Sequence, residues 1–242
     1  MKERMLVLAK AYPVVSNKYQ ELVCVAGITE SGELRRIYPV PWETFWYQKG
    51  FKKKAWIEYE SLGAKKEDSR KESIKIDPKS IVNAGEASYR EILKLITPHV
   101  STVEKHVEDF KESNKSLGFV KPHIIDFIRE ERINKRMENL KPQQTLDGKS
   151  AVRIDIIPEQ LSYIYKCNPD EDKTHSHMCE DWELGALYRQ YLPDTDKAFE
   201  KCKQKFLTDL PKKKNLHFMI GTHFRWKTPL IISVLYPRKE EE

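Results

Sequence analysis

A chain of 242 residues with 39% hydrophobic and 33% charged side chains can build one large domain or two small ones under a well-solvated surface. Its 43 Lys/Arg exceed its 37 Asp/Glu, a formal net charge of +6, which favours a polyanionic partner. No apolar run is long enough for a membrane-spanning helix, and the four cysteines Cys24, Cys167, Cys179 and Cys202 form no C-x-x-C pair, which argues against a disulfide framework.

The opening MKERMLVLAKAYPVV has too short an apolar block for a signal peptide, so a cytoplasmic location is expected. RMLVLAKAY (4–12) reads as a first strand. ELVCVAGIT (21–29), the Ser31-Gly32 turn and ELRRIYPV (33–40) read as a hairpin. PWETFWYQ follows as a short helix, then the alternating strands AWIEYES (55–61) and ESIKID (72–77). Three strands, a helix and two strands is the element order of a five-stranded OB barrel.

The middle is helical. EASYREILKLIT (86–97) sets Tyr89, Leu93 and Ile96 on one face, and Ser101 with Glu104 makes a capping-box pattern ahead of Val103, Val107 and Phe110. SLGFVKPHIIDFI (116–128) is then extended. AVRIDII (151–157) and LSYIYKC (161–167) suggest a second hairpin. CEDWELGALYRQYL and DTDKAFEKCKQKFLTDL read as helices, and NLHFMIG (215–221) and PLIISVLY (229–236) as closing strands. The same order recurs, so the expected fold is α+β and dominated by β-barrels. It has an OB-like barrel over 1–82, a helical connector over 83–115, and a second OB-like barrel with inserted helices over 116–242.

LVLAKAYP, KYQELVCVAGITESGELRRIYPVP, FKKKAWIEYE, ESIKIDP, SLGFVKP, HSHMCEDWELGALYR and FMIGTHFR, in that order, resemble the dual OB-containing domain family. The resemblance spans nearly the whole chain. It implies two OB barrels and a prokaryotic setting, and it implies no particular activity.

Three groups of residues carry possible chemistry. The first 82 residues hold 16 Lys/Arg against 11 Asp/Glu, a balance of +5, and this is also where aromatic residues crowd. Arg35, Arg36, Trp42, Trp46, Lys52, Lys53, Lys54, Lys65 and Lys66 are therefore candidates for base stacking and phosphate contact, although most rings here are expected in the core. His175, His177 and Cys179 alternate and form a candidate zinc set, but their spacing fits no standard finger, so no metal and no cofactor is expected. GTHFRWK supplies His223, Arg225 and Trp226 in the turn between the last two strands, a second candidate binding element.

The expected function is a non-catalytic nucleic-acid-binding protein, acting on DNA or RNA, with a protein partner possible and no membrane association. One alternative is an enzyme or nucleotide sensor centred on His223, Glu183 and the histidines His175 and His177. The other is a protein-interaction module of a defence or mobile-element system.

Overall fold

The computed structural model describes residues 1–11, 14–16, 20–40, 50–64, 68–131 and 157–239. Trp42, Trp46, Lys65, Lys66, the expected helix after Val40 and nearly all of the expected strand at 151–157 lie outside the described residues.

In the first half, strands β1 (Lys2–Lys10), β4 (Val25–Thr29), β5 (Leu34–Tyr38), β6 (Ala55–Ala64) and β7 (Ser73–Glu86) close into a barrel of order β1-β4-β5-β7-β6. All neighbouring pairs are antiparallel except β5 with β7, which run parallel. Two short strands, β2 (Val14–Ser16) and β3 (Gln20–Leu22), pair with each other in the connection from β1 to β4.

The burial pattern explains the strand sequences. Met5, Val7, Val25, Ile37, Ile57, Tyr59 and Ile76 fill the barrel interior. Leu6, Leu8, Ala26, Ile28, Leu34 and Trp56 belong instead to a second core outside the barrel. β1 and β4 are thus buried on both faces and read as continuous apolar runs. β6 keeps the alternation because its outer face emerges at Glu58 and Glu60.

Helix α1 (Tyr89–Ile96) starts with a capping box between Ser88 and Glu91 and buries Ile92, Leu93 and Ile96. Helix α2 (Val103–Ser113) is capped by Thr102, whose side chain accepts from the Lys105 N–H. The Ser101–Glu104 pattern therefore sits one residue out of register with the real cap.

In the second half, β8 (Leu117–Val120), β12 (His217–Thr222) and β13 (Pro229–Leu235) form one three-stranded sheet. β9 (His123–Glu131), β10 (Glu159–Lys166) and β11 (His175–Met178) form another. The two sheets join at both ends. β8 passes into β9 across Lys121 and Pro122, and Cys179 bridges Ile231 in parallel, with the Glu180 N–H donating to the Ile231 carbonyl at 2.8 Å. The barrel expected over 116–242 is thus represented by two linked sheets. Helices α3 (Trp182–Arg189) and α4 (Thr195–Lys203), a π-helical stretch at Gln204–Asp209 and α5 (Leu210–Lys213) lie between β11 and β12. They pack Leu184, Tyr188, Phe199, Cys202 and Phe206 onto Phe127, Tyr163 and Phe218 of the sheets. No described helix is long and apolar enough to cross a membrane.

The halves share a wall. Leu117, Phe119, Met219, Leu230 and Ile232 lie in the same core as Leu6, Leu8, Ala26 and Ile28. Polar ties reinforce it. Glu72 accepts the Ser116 N–H at 2.8 Å and the Leu117 N–H at 3.2 Å. The Lys53 ammonium donates to Asp181 at 2.9 Å, to Ser233 at 3.4 Å and to the Val234 carbonyl at 3.0 Å.

Candidate functional site

Among the described basic candidates of the first barrel, Lys53, Arg35 and Arg36 are engaged inside the protein. Lys53 is buried and paired with Asp181 and Glu183, so its charge is compensated inside the protein. Arg35 pairs with Glu3 and Glu33. Arg36 is buried, donates to the Ser116 hydroxyl at 3.5 Å, and leaves its Nε without a partner among the described residues. Burial first, then the neighbouring Arg70, pushes the Arg36 guanidinium down to about 10. Lys54 lies over the Tyr89 ring at 4.7 Å, and Lys52 is exposed. Of the rings, Phe51 and Trp56 are core.

Among the described residues, an exposed aromatic–basic combination occurs in the turn between β12 and β13. Trp226 is 57% exposed and Phe224 46% exposed, unusual values for such large apolar side chains. The His223 ring organises the turn. Its Nδ1 accepts the Arg225 N–H at 3.1 Å and the Trp226 N–H at 3.2 Å, which fixes this nitrogen as unprotonated. The His223 N–H donates to the Thr228 carbonyl at 2.8 Å, closing the turn. Trp226 stacks on the imidazole with ring centroids 4.1 Å apart and planes 19° from parallel. Burial, then Arg70, Arg225, Arg36 and Lys227, pushes the imidazole below its usual range, which keeps Nδ1 free to accept.

Cations surround these rings. The Arg70 guanidinium lies 5.4 Å from the Phe224 ring and donates to the Thr222 carbonyl at 3.2 Å. Lys227 lies 5.1 Å from Phe224 and 5.8 Å from Phe110. Arg225 is exposed. Arg70 is oriented by Asp68, which also accepts from Ser73 at 2.7 Å. From below, His106 on α2 meets the Thr222 hydroxyl at 3.0 Å. The loop preceding β7 and the turn preceding β13 thus converge, through Arg70, on one edge of the molecule. The arrangement can stack a flat ring and attract an anion beside it.

Of the sequence candidates, the structure brings His223, Arg225 and Trp226 together. No contact joins His223 to Glu183 among the described residues. Glu183 is engaged by Lys53 and by the Tyr236 hydroxyl at 2.6 Å. Of the trio His175, His177 and Cys179, the two imidazoles stay neighbours, with ring centroids 6.0 Å apart, while Cys179 enters the core; His177 meets the Tyr165 hydroxyl at 3.1 Å and His175 meets Glu171 at 3.0 Å. Sequence reasoning missed Arg70, Phe224 and Lys227. Phe224 and Lys227 adjoin residues already noticed in GTHFRWK, a usable signal, whereas Arg70 in EDSRKES carried none.

Asp68 makes the site's stability acid-sensitive. Burial opposes its charge, but hydrogen bonds from Arg70 and Ser73 win and hold the carboxyl at about 2, below the ordinary 3.8. As pH falls, the unfolded chain takes up this proton before the folded one, so the stabilisation present above pH 3.8 is lost toward pH 2. Urea unfolding at neutral pH and near pH 3 should show a steeper acid loss for the parent than for Asp68→Asn. Equal slopes would assign the acid sensitivity elsewhere.

Residues 1–96 match a family described as Domain of unknown function (DUF8758), and residues 99–242 match one described as Domain of unknown function (DUF8757). No functionally curated protein matches the chain. The second match spans more than half of the sequence and includes the His223–Trp226 turn; a segment similar to DUF8758 precedes it, and the chain belongs to the DUF8757 family.

Proposed function

We propose that the chain is a non-catalytic nucleic-acid-binding protein with two OB-like barrels. The barrel order β1-β4-β5-β7-β6 with a parallel β5–β7 pair supports the first OB assignment. For the second, β8 and β9 act as one bent first strand, followed by β10, β11, β12 and β13. The parallel Cys179–Ile231 bridge then joins the third strand to the fifth, as β5 joins β7. In this reading the outer face of β1, β4 and β5 is closed by the other half, so ligand contact shifts to the two loops between fourth and fifth strands. These are the loops that Arg70 and Trp226 occupy.

The observation that carries the proposal is the pair of exposed rings, Phe224 and Trp226, flanked by Arg70, Arg225 and Lys227. Base stacking on an aromatic platform contributes about 1–3 kcal/mol per base, and each neutralised phosphate steepens the salt dependence. The test is fluorescence anisotropy with labelled single- and double-stranded DNA and RNA across a salt series. The parent is expected to bind at micromolar Kd or better, with affinity falling as salt rises. Trp226→Ala should weaken binding by about 5- to 150-fold. Arg225→Ala should reduce the log–log salt slope by about 1. No binding to any of the four polymers at low salt, or unchanged binding in both variants, refutes the proposal.

A further inference from the structure

A different cluster lies where the start of α2 meets the segment joining β10 to β11. One ligand atom each from Glu104, Cys167, Glu171 and His175 lies within 4.8 Å of the others. We infer that these four side chains form a binding site for a single Zn²⁺ ion, which fastens α2 to the β10–β11 hairpin. The donor set of one imidazole nitrogen, one sulfur and two carboxylate oxygens matches what zinc accepts in four-coordinate sites.

The surroundings already orient the donors. The Cys167 N–H donates to Glu171 Oε2 at 2.7 Å, which leaves Oε1 of the same carboxylate facing His175 Nε2 at 3.0 Å. The Val103 N–H, at the first turn of α2, donates to the Cys167 sulfur at 3.4 Å, as an outer-shell partner of a thiolate does. Glu104 Oε1 is 3.7 Å from His175 Nε2. Ligands of a tetrahedral zinc ion stand about 3.3–3.8 Å apart for bonds of about 2.0–2.3 Å. Two of these spacings are therefore already near that range, and the widest must close by about 1 Å. Glu104 is exposed and supplies that freedom.

Without an ion, two carboxylates and a thiol crowd one imidazole, and the visible counter-charge is Lys173, 2.7 Å from Glu104 and largely solvated. On binding, the Cys167 thiol gives its proton to solvent, a Zn–S bond forms, and Lys173 swings outward. The sequence hid this set because its members come from a helix, a loop and a strand, and because the alternation of His175, His177 and Cys179 suggested a different trio. The site is independent of the nucleic-acid reading, although α2 also carries His106 and Phe110 beneath the 223–228 turn.

The test uses the full chain stripped of metal with a chelator. Zn²⁺ alone is titrated in competition with a chromophoric chelator, and Co²⁺ is used as a spectroscopic probe. The parent should take up one equivalent of Zn²⁺, raise its Tm with the ion, and show thiolate-to-cobalt charge-transfer absorption. Cys167→Ser and His175→Ala should each weaken uptake by at least about 100-fold. Cys24→Ser, at an exposed thiol elsewhere, should leave uptake and the cobalt band unchanged. If buried His175 proves essential for folding, Cys167→Ser and Glu171→Gln carry the test. A parent that holds Zn²⁺ no tighter than Cys167→Ser, or that lacks the cobalt band, overturns the inference.

Discussion

Replacing Asp181 by alanine should cost about 3–5 kcal/mol of stability, the range for breaking a buried ion pair from one side. Asp181 is fully buried and serves four donors. It accepts the Lys53 ammonium at 2.9 Å and the Val234 N–H at 2.9 Å, and it caps α3 by accepting the Glu183 and Leu184 N–H groups. Burial alone would raise this carboxyl, and the Lys53 charge and the hydrogen bonds reverse that and hold it low. The alanine variant leaves a desolvated ammonium with Glu183 as its remaining carboxylate, besides the neutral acceptors Ser233 and the Val234 carbonyl, and it also removes a helix cap of about 1 kcal/mol. Lys53→Met should cost less, because Asp181 keeps its backbone donors. The double variant Asp181→Ala with Lys53→Met should be less damaged than the two single losses added together. Urea titration of all four proteins measures this cycle. An Asp181→Ala variant within about 1 kcal/mol of the parent would remove the pair from the account of how the halves are held.

Gly27→Ala should be of similar severity for a different reason. β1 and β4 pair tightly at this point, next to an irregularity in β1 between Val7 and Ala9. A Cβ at Gly27 would sit 2.0 Å from the Leu6 carbonyl oxygen and 2.9 Å from its carbon. Backbone cannot rotate away as a side chain can, so the two strands must part and lose pairing on both sides. A loss of at least about 3 kcal/mol is expected, at the upper end of overpacking effects. Gly32→Ala is the control. Its turn has open space around a Cβ, and its φ of +83° carries strain of about 1–2 kcal/mol. Thermal unfolding of both variants decides it: comparable Tm values would show that the barrel yields at Gly27.

Both predictions concern contacts that one sequence conceals to different degrees. Strand order was legible, because Ile57 and Tyr59 alternate with Glu58 and Glu60, and because ELVCVAGIT and ELRRIYPV flank a Gly turn. Asp181 was legible only as an acid at the start of the CEDWELGALYRQYL helix. Its partner was not, since Lys53 lies 128 residues away and looks like one of three equivalent lysines at a surface turn. Arg35 and Arg36 were ambiguous by nature: strand alternation says one points outward but not whether the outer face is free. In the structure that face meets the other half. Trp226 was recognisable as a candidate, but only the His223 ring beneath it explains why an indole stands at the surface.

The shared wall also bears on how the protein can be dissected. The two family matches meet between residues 96 and 99, and a cut there looks natural on paper. It would divide one core between two fragments, exposing Leu6, Leu8, Ala26 and Ile28 on one and Phe119, Met219 and Ile232 on the other. Each fragment would carry a sticky apolar flank and half of a broken ion pair. The two family units are therefore partners in folding, and a cell that made one without the other would be making a substrate for its chaperones.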